Sequence, residues 1–171
     1  PEETKARLDA WMIGMKYMLD QWISEKRYKE LISCAHGGWY QDNVIFEPLA
    51  EHFAKNGLFD ELRFLCERGI RFSVEDMLST IKSEKDEHET LDIETIRDID
   101  VANYVTSPNY SGLGEIAKYR KRALDQIIRY IGYLEQVHAP AEYLEQVKDL
   151  QKSVADLTTK AKDLKPFRFR L

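Results

Sequence analysis

Residues 46–69 read Phe-Glu-Pro-Leu-Ala-Glu-His-Phe-Ala-Lys-Asn-Gly-Leu-Phe-Asp-Glu-Leu-Arg-Phe-Leu-Cys-Glu-Arg-Gly, the pattern of helix, glycine turn and helix. Pro48 suits the first turn of a helix, where its missing N–H costs nothing, and Gly57 after Asn56 supplies a left-handed residue to end it. The same text stands 31 positions upstream. Met15 falls on Phe46, Met18 on Leu49, Trp22 on Phe53, Tyr28 on Phe59, Glu30 on Glu61 and Leu31 on Leu62, and Cys34 lies one residue off the register that would meet Cys66. Two copies of one helical hairpin are the simplest cause. The spacing is in the size range of helix-pair solenoids, although the diagnostic positions of the tetratricopeptide class are not reproduced and two copies fall short of the usual three.

Upstream, apolar residues at Leu8, Trp11, Met12, Met15, Met18, Leu19, Trp22 and Ile23 keep the three-and-four spacing of a helix with a wide buried stripe. Gly14 inside it costs about 1 kcal/mol against alanine, which predicts a close neighbour at that point. A short helix over about residues 26–35 follows, then a turn-rich loop from His36 to Asp42. After Gly69, Ser73-Val-Glu-Asp76 fits a capping box that would start a separate helix over about residues 74–82. The expected fold is therefore all-α: stacked antiparallel helical hairpins over 1–82, an acidic connector and loop over 83–113, a C-terminal hairpin over 114–165 and a tail over 166–171.

The C-terminal hairpin carries the strongest periodicity. Its first helix, about residues 115–138, places Ile116, Ala123, Leu124, Ile127, Ile128, Ile131 and Leu134 on one face. Proline in the His138-Ala-Pro-Ala141 turn suits the start of the next helix. There Tyr143, Val147, Leu150, Val154, Leu157, Ala161 and Leu164 form a heptad seam, so each arm would run about 36 Å at 1.5 Å per residue. A second copy of the chain could use whatever seam the first arm leaves uncovered. The tail, Lys165-Pro-Phe-Arg-Phe-Arg-Leu171, alternates apolar and basic residues and could pair as an edge strand or dock its phenylalanines.

Charge is unevenly placed. Residues 1–102 hold 13 basic and 22 acidic residues, whereas residues 103–171 hold 12 and 8. That split argues against a uniformly basic nucleic-acid coat and points toward charge-steered docking. The acids concentrate in residues 83–100, eight against two bases, including Glu84, Asp86, Glu87, Glu89 and Asp92. A charge run of this kind is most often a solvated linker. Its functional reading is a strip offered to a basic protein partner. Trp39 and Tyr40, aromatic in a glycine turn, are further interface candidates, since large rigid aromatics commonly anchor interfaces. The expected function is thus a non-enzymatic protein-interaction module: an adaptor, a regulatory subunit or an immunity-type inhibitor.

Other chemistries find thinner support. Lys118-Tyr-Arg-Lys-Arg122 puts Lys118, Arg120, Lys121 and Arg122 beside Tyr119 and could serve a nucleic-acid-associated accessory role, but on a helix the four cations spread over more than half the circumference. Cys34 and His36, with Cys66, would make an incomplete metal site, and buried cysteines at near-equivalent repeat positions explain the pair without one. Glu135-Gln-Val-His138 has the spacing used in carboxylate-bridged di-iron bundles, which need a second such motif that this chain lacks. Cys34 with His36 or His52 is the only nucleophile pair, without a supporting signature. No cofactor or metal is expected. Two cysteines, no leader pattern and no membrane-length apolar run read as a cytoplasmic protein.

Overall fold

The computed structural model describes residues 2–35, 42–87 and 112–167, and every regular element among them is helical. These are α1 (Glu2–Ser24), α2 (Tyr28–Cys34), a π-helical turn (Asp42–Phe46) leading into α3 (Glu47–Lys55), α4 (Phe59–Glu87), α5 (Gly112–Gln136), α6 (Ala141–Ala155) and a 3₁₀ segment (Ala161–Phe167). Contacts divide the chain into residues 1–65 and 66–171, the division falling inside α4. Trp39, Tyr40, Glu89, Asp92 and His36 lie outside the described residues.

In the first unit, α2 and the π-helical turn pack on α1. Leu31, Ile45, Leu49, Ala50, Phe53, Leu62 and Leu65 are fully buried. Tyr28 meets Phe53 edge to face, ring centres 5.0 Å apart, and its hydroxyl lies 3.3 Å from Nε2 of His52. The wide buried stripe expected of α1 is not found: Leu19 alone is buried on that helix. The covering elements are 7 and 5 residues long, too short to shield 23. The close neighbour expected at Gly14 is also missing, since nothing lies within 4 Å of where its Cβ would be.

The two halves of the duplicated text do end their first helices alike. Arg27 N–H donates to Trp22 C=O at 2.8 Å and Leu58 N–H to Phe53 C=O at 2.9 Å, each closing over a left-handed residue, Lys26 at φ 56° and Gly57 at φ 65°. Tyr28 and Phe59 then open the next helices. The same stop recurs off the 31-residue register, with Ala139 N–H on Leu134 C=O across His138 (φ 51°) and Thr158 N–H on Ser153 C=O across Leu157 (φ 55°). Helices α1, α3, α5 and α6 all end this way, the 6→1 bond satisfying a carbonyl the helix leaves open, whereas α2 ends on a right-handed Ala35.

Two expected breaks move. Ser73 caps nothing, because α4 runs unbroken from Phe59 to Glu87. Leu62, Cys66, Ile70, Val74 and Met77 are all buried at three-and-four spacing, and burying that unbroken stripe outweighs the roughly 1 kcal/mol cost of Gly69. Ser73 instead donates to Oε1 of Gln126 on α5 at 2.9 Å. At the other end the heptad seam stops early. Tyr143, Val147, Leu150 and Val154 are buried, α6 then ends at Ala155, and its 15 residues span about 22 Å rather than 36. Leu164 and Phe167 reach the core from the 3₁₀ segment, and the tail beyond Phe167, Phe169 included, lies outside the described residues.

The α5–α6 pair is a helical hairpin. Tyr130 meets Tyr143 near the turn, and Nη2 of Arg120 reaches the Ala155 carbonyl at 2.6 Å at the far end, as antiparallel packing requires. Helix α5 starts at Gly112, three residues earlier than expected, and buries Ile116, Ala123, Ile127, Tyr130 and Leu134. Ile128, expected on that face, is 55% exposed because it lies about 130° around the helix from the stripe's centre.

Candidate functional site

The outward face of α1 is the most unusual surface among the described residues. A helix apolar on one side buries that side, and one apolar on both sides is normally buried all round. Helix α1 is of the second kind. Leu8, Met15, Leu19, Trp22 and Ile23 look toward the first unit's core and are half-buried or buried. At 100° per residue, Ala6, Ala10, Ile13 and Tyr17 fall on the opposite side, centred about 180° away. Ile13 is 72% and Tyr17 73% exposed, whereas Trp11 and Met12, on the inner side, are each 41% exposed.

Charged residues border this face in a regular order. Lys5, Asp9, Lys16 and Asp20 fall within an arc of about 60° beside Ile13, and all four are exposed. On the other border Arg7 pairs with Glu3 at 3.1 Å within the helix. An apolar line edged by charges is the composition of a recognition surface, with affinity from the line and orientation from the edges.

A concave feature of the first unit is an open groove of about 360 Å³ lined by Tyr28, Ile32 and Phe64, with Lys29, Asp60 and Glu61 at its rim. Its apolar floor and mixed charged rim suit a partner's apolar side chain better than a polar small molecule. Nearby Glu30 holds its proton less tightly than an ordinary glutamate, because its own backbone N–H and then the Arg27 guanidinium hydrogen-bond to the carboxylate.

The second unit holds a buried polar relay. The Tyr143 hydroxyl donates to Oε1 of Glu67 at 2.5 Å, which commits its one hydrogen, so Tyr130, 2.6 Å away, donates to Tyr143. Burial, and then the Tyr143 hydroxyl, push the Tyr130 phenol far above its ordinary range. Burial, and then the Glu67 charge, raise the adjacent Cys66 thiol well above its usual value near 9.0. With Glu67 at 3% exposure and Tyr130 at 0%, this relay joins α4, α5 and α6 and offers nothing to a solvent-borne substrate. The heptad spacing places Tyr143 in the seam and gives Glu67 and Tyr130 no role. The signal was there: a glutamate beside the Leu62, Cys66, Ile70 line and a tyrosine at a seam position each need a polar partner if buried.

The remaining predicted residues scatter. Of the basic quartet, Arg120 turns inward to the Ala155 carbonyl, Lys121 pairs with Asp125 four residues on, and the Lys118 ammonium sits 6.0 Å from the Tyr119 ring centre. Arg122 is half-buried. Burial, and then Glu115, raise the Tyr119 phenol. Glu84, Asp86 and Glu87 ride the last turns of α4, Asp86 exposed and Glu84 half-buried. Cys34 is exposed, Cys66 is buried, and His52 is held by Tyr28 and Asn56. His138 is the left-handed residue that ends α5.

Among the described residues no group of three or more His, Cys, Asp or Glu is placed to hold a metal ion, and no helix is long and apolar enough to cross a membrane. No protein-family model, curated protein or solved structure matches this chain.

Proposed function

We propose that this chain is a non-enzymatic protein-interaction module whose principal contact surface is the outward face of α1. One observation carries the reading: Ile13 and Tyr17, one turn apart, are 72% and 73% exposed on a helix that is apolar on both sides. Exposed large apolar residues scattered singly are ordinary, whereas an aligned set on one helix marks a binding face. The acidic run that begins with Glu84 and Asp86 on α4 and continues through Glu87, Glu89 and Asp92 would serve such a module as a separate, long-range steering element for a basic partner, apart from what the α1 face itself binds.

The test is capture from the native source with tagged chains. Ile13→Asp with Tyr17→Asp is expected to lose the retained protein at any salt, because the apolar anchor is gone. Neutralising the five acids to Asn or Gln is expected to slow capture and remove its salt dependence while leaving it in place. Retention unchanged by the α1 pair of substitutions would overturn the reading.

A further inference from the structure

We infer that the partner of this face is a second copy of the chain, with α1 pairing antiparallel to α1 about a two-fold axis between Met12 and Ile13. The inference rests on the reading of this face as an interface and names its occupant.

The charge order carries it. Along one border of the face, after the terminal Glu2, the signs run plus, minus, plus, minus at Lys5, Asp9, Lys16 and Asp20, and Glu2 comes to stand opposite the second copy's residue 23. Set antiparallel about the point midway between residues 12 and 13, Lys5 stands opposite the second copy's residue 20 and Asp9 opposite its residue 16. The two-fold repeats both, so four opposite-charge pairs form and no like pair does. A two-fold lying in the interface also brings the same border of both helices to the same side, so the charges meet rather than point apart. In a parallel pair the two-fold runs along the helices, so this border falls on opposite sides of the contact and its charges do not meet.

The apolar line fits the same axis. The two Ile13 side chains fall within about one residue of each other, 1.5 Å along the helix, at the centre of the contact. Tyr17 lies at the height of the second copy's residue 8, between Ala6 and Ala10, where the absence of large side chains leaves room for its ring. Large against small in register is the complementarity a close helix pair needs. All of these residues are exposed in the single chain, and the ion pair on the other border, Arg7 with Glu3, closes within its own helix.

Sedimentation equilibrium of the full chain tests this. One helix pair is at the small end of stable interfaces, so loading should run from about 1 µM to about 500 µM. The wild-type chain of 20.1 kDa is expected to approach twice that mass across the range. Lys5→Asp with Lys16→Asp makes these four positions all acidic, and Asp9→Lys with Asp20→Lys makes them all basic. Each alone is expected to associate at least tenfold more weakly, while an equimolar mixture recovers the doubled mass. Far-UV circular dichroism should be unchanged, since the four positions are exposed helix surface. A wild-type mass of one chain throughout, both variants self-associating like the wild type, or a mixture that stays single would each overturn the pairing. A single-chain wild type that still captures another protein through Ile13 and Tyr17 would end the self-pairing and leave the interaction reading intact. Loss of neither mass nor capture on Ile13→Asp would end both.

Discussion

The hydroxyl of Tyr143 on α6 donates to the carboxyl group of Glu67 on α4, across 76 residues of chain. Because Tyr130 on α5 donates in turn to Tyr143, one relay sets the register of three helices in the second unit. A buried carboxyl group that loses a donor is left with its desolvation cost, which makes the relay a point of high leverage.

Tyr143→Phe is therefore expected to destabilise the second unit by about 1–3 kcal/mol, the range for stranding a buried polar group. Tyr130→Phe, which removes only the outer donor, should cost less, near 1 kcal/mol. Urea denaturation of the two variants measures the difference. Equal costs, or none, would show that the relay does not bind the helices together.

The helix stops predict stabilising changes. Lys26, His138 and Leu157 hold φ angles between 51° and 56°, a region that costs a side-chain-bearing residue about 1 kcal/mol or more. Glycine at His138 or Leu157 should raise stability by about 0.5–1 kcal/mol net of its larger unfolded-state entropy, and Gly57→Ala should lower it by about 1 kcal/mol. At Gly14 and Gly132, which are helical and have open space where a Cβ would go, alanine should have the opposite sign and add up to about 1 kcal/mol. Thermal midpoints of the single variants would decide each case.

Alkaline pH should weaken the second unit. In the unfolded chain Cys66 ionises near 9.0 and Tyr130 near 10.0, while burial keeps both protonated in the fold. Above pH 9 the folded state thus binds more protons than the unfolded one, and stability falls by about 1.4 kcal/mol per pH unit for each group so displaced. The stabilisation is fully present below pH 9. Urea midpoints between pH 8 and 10.5 should show the decline, and Cys66→Ala should remove its earlier part.

Thiol chemistry should separate the two cysteines. Exposed Cys34 is expected to react with an aromatic disulfide reagent within minutes at pH 8, and buried Cys66 only on unfolding. Two fast thiols would contradict the burial of Cys66 behind Glu67 and Tyr130.

Much of the fold is legible in the sequence, and the parts that are not share a cause. Three-and-four spacing locates each helix, and Gly57 and Pro140 mark two of the turns. Three of the four left-handed stops use Lys26, His138 and Leu157, residues that carry no turn signal, so α6 reads as longer than it is. Ser73 looks like a cap because its side chain suits one, yet the buried stripe through Ile70, Val74 and Met77 overrides the local preference. The α1 face was written in the sequence too. Trp11 and Met12 belong to the stronger inner periodicity, and Ala6, Ala10, Ile13 and Tyr17 form a weaker outer line that the short elements packed on α1 do not cover.

The size of the native assembly decides whether the outward face of α1 is an interface. Gel filtration of a clarified native extract, with the chain detected by antibody, should place the wild type well above 20.1 kDa and the Ile13→Asp, Tyr17→Asp variant at the single-chain position. Co-elution of the two forms would contradict the assignment of the outward face of α1 as an interface.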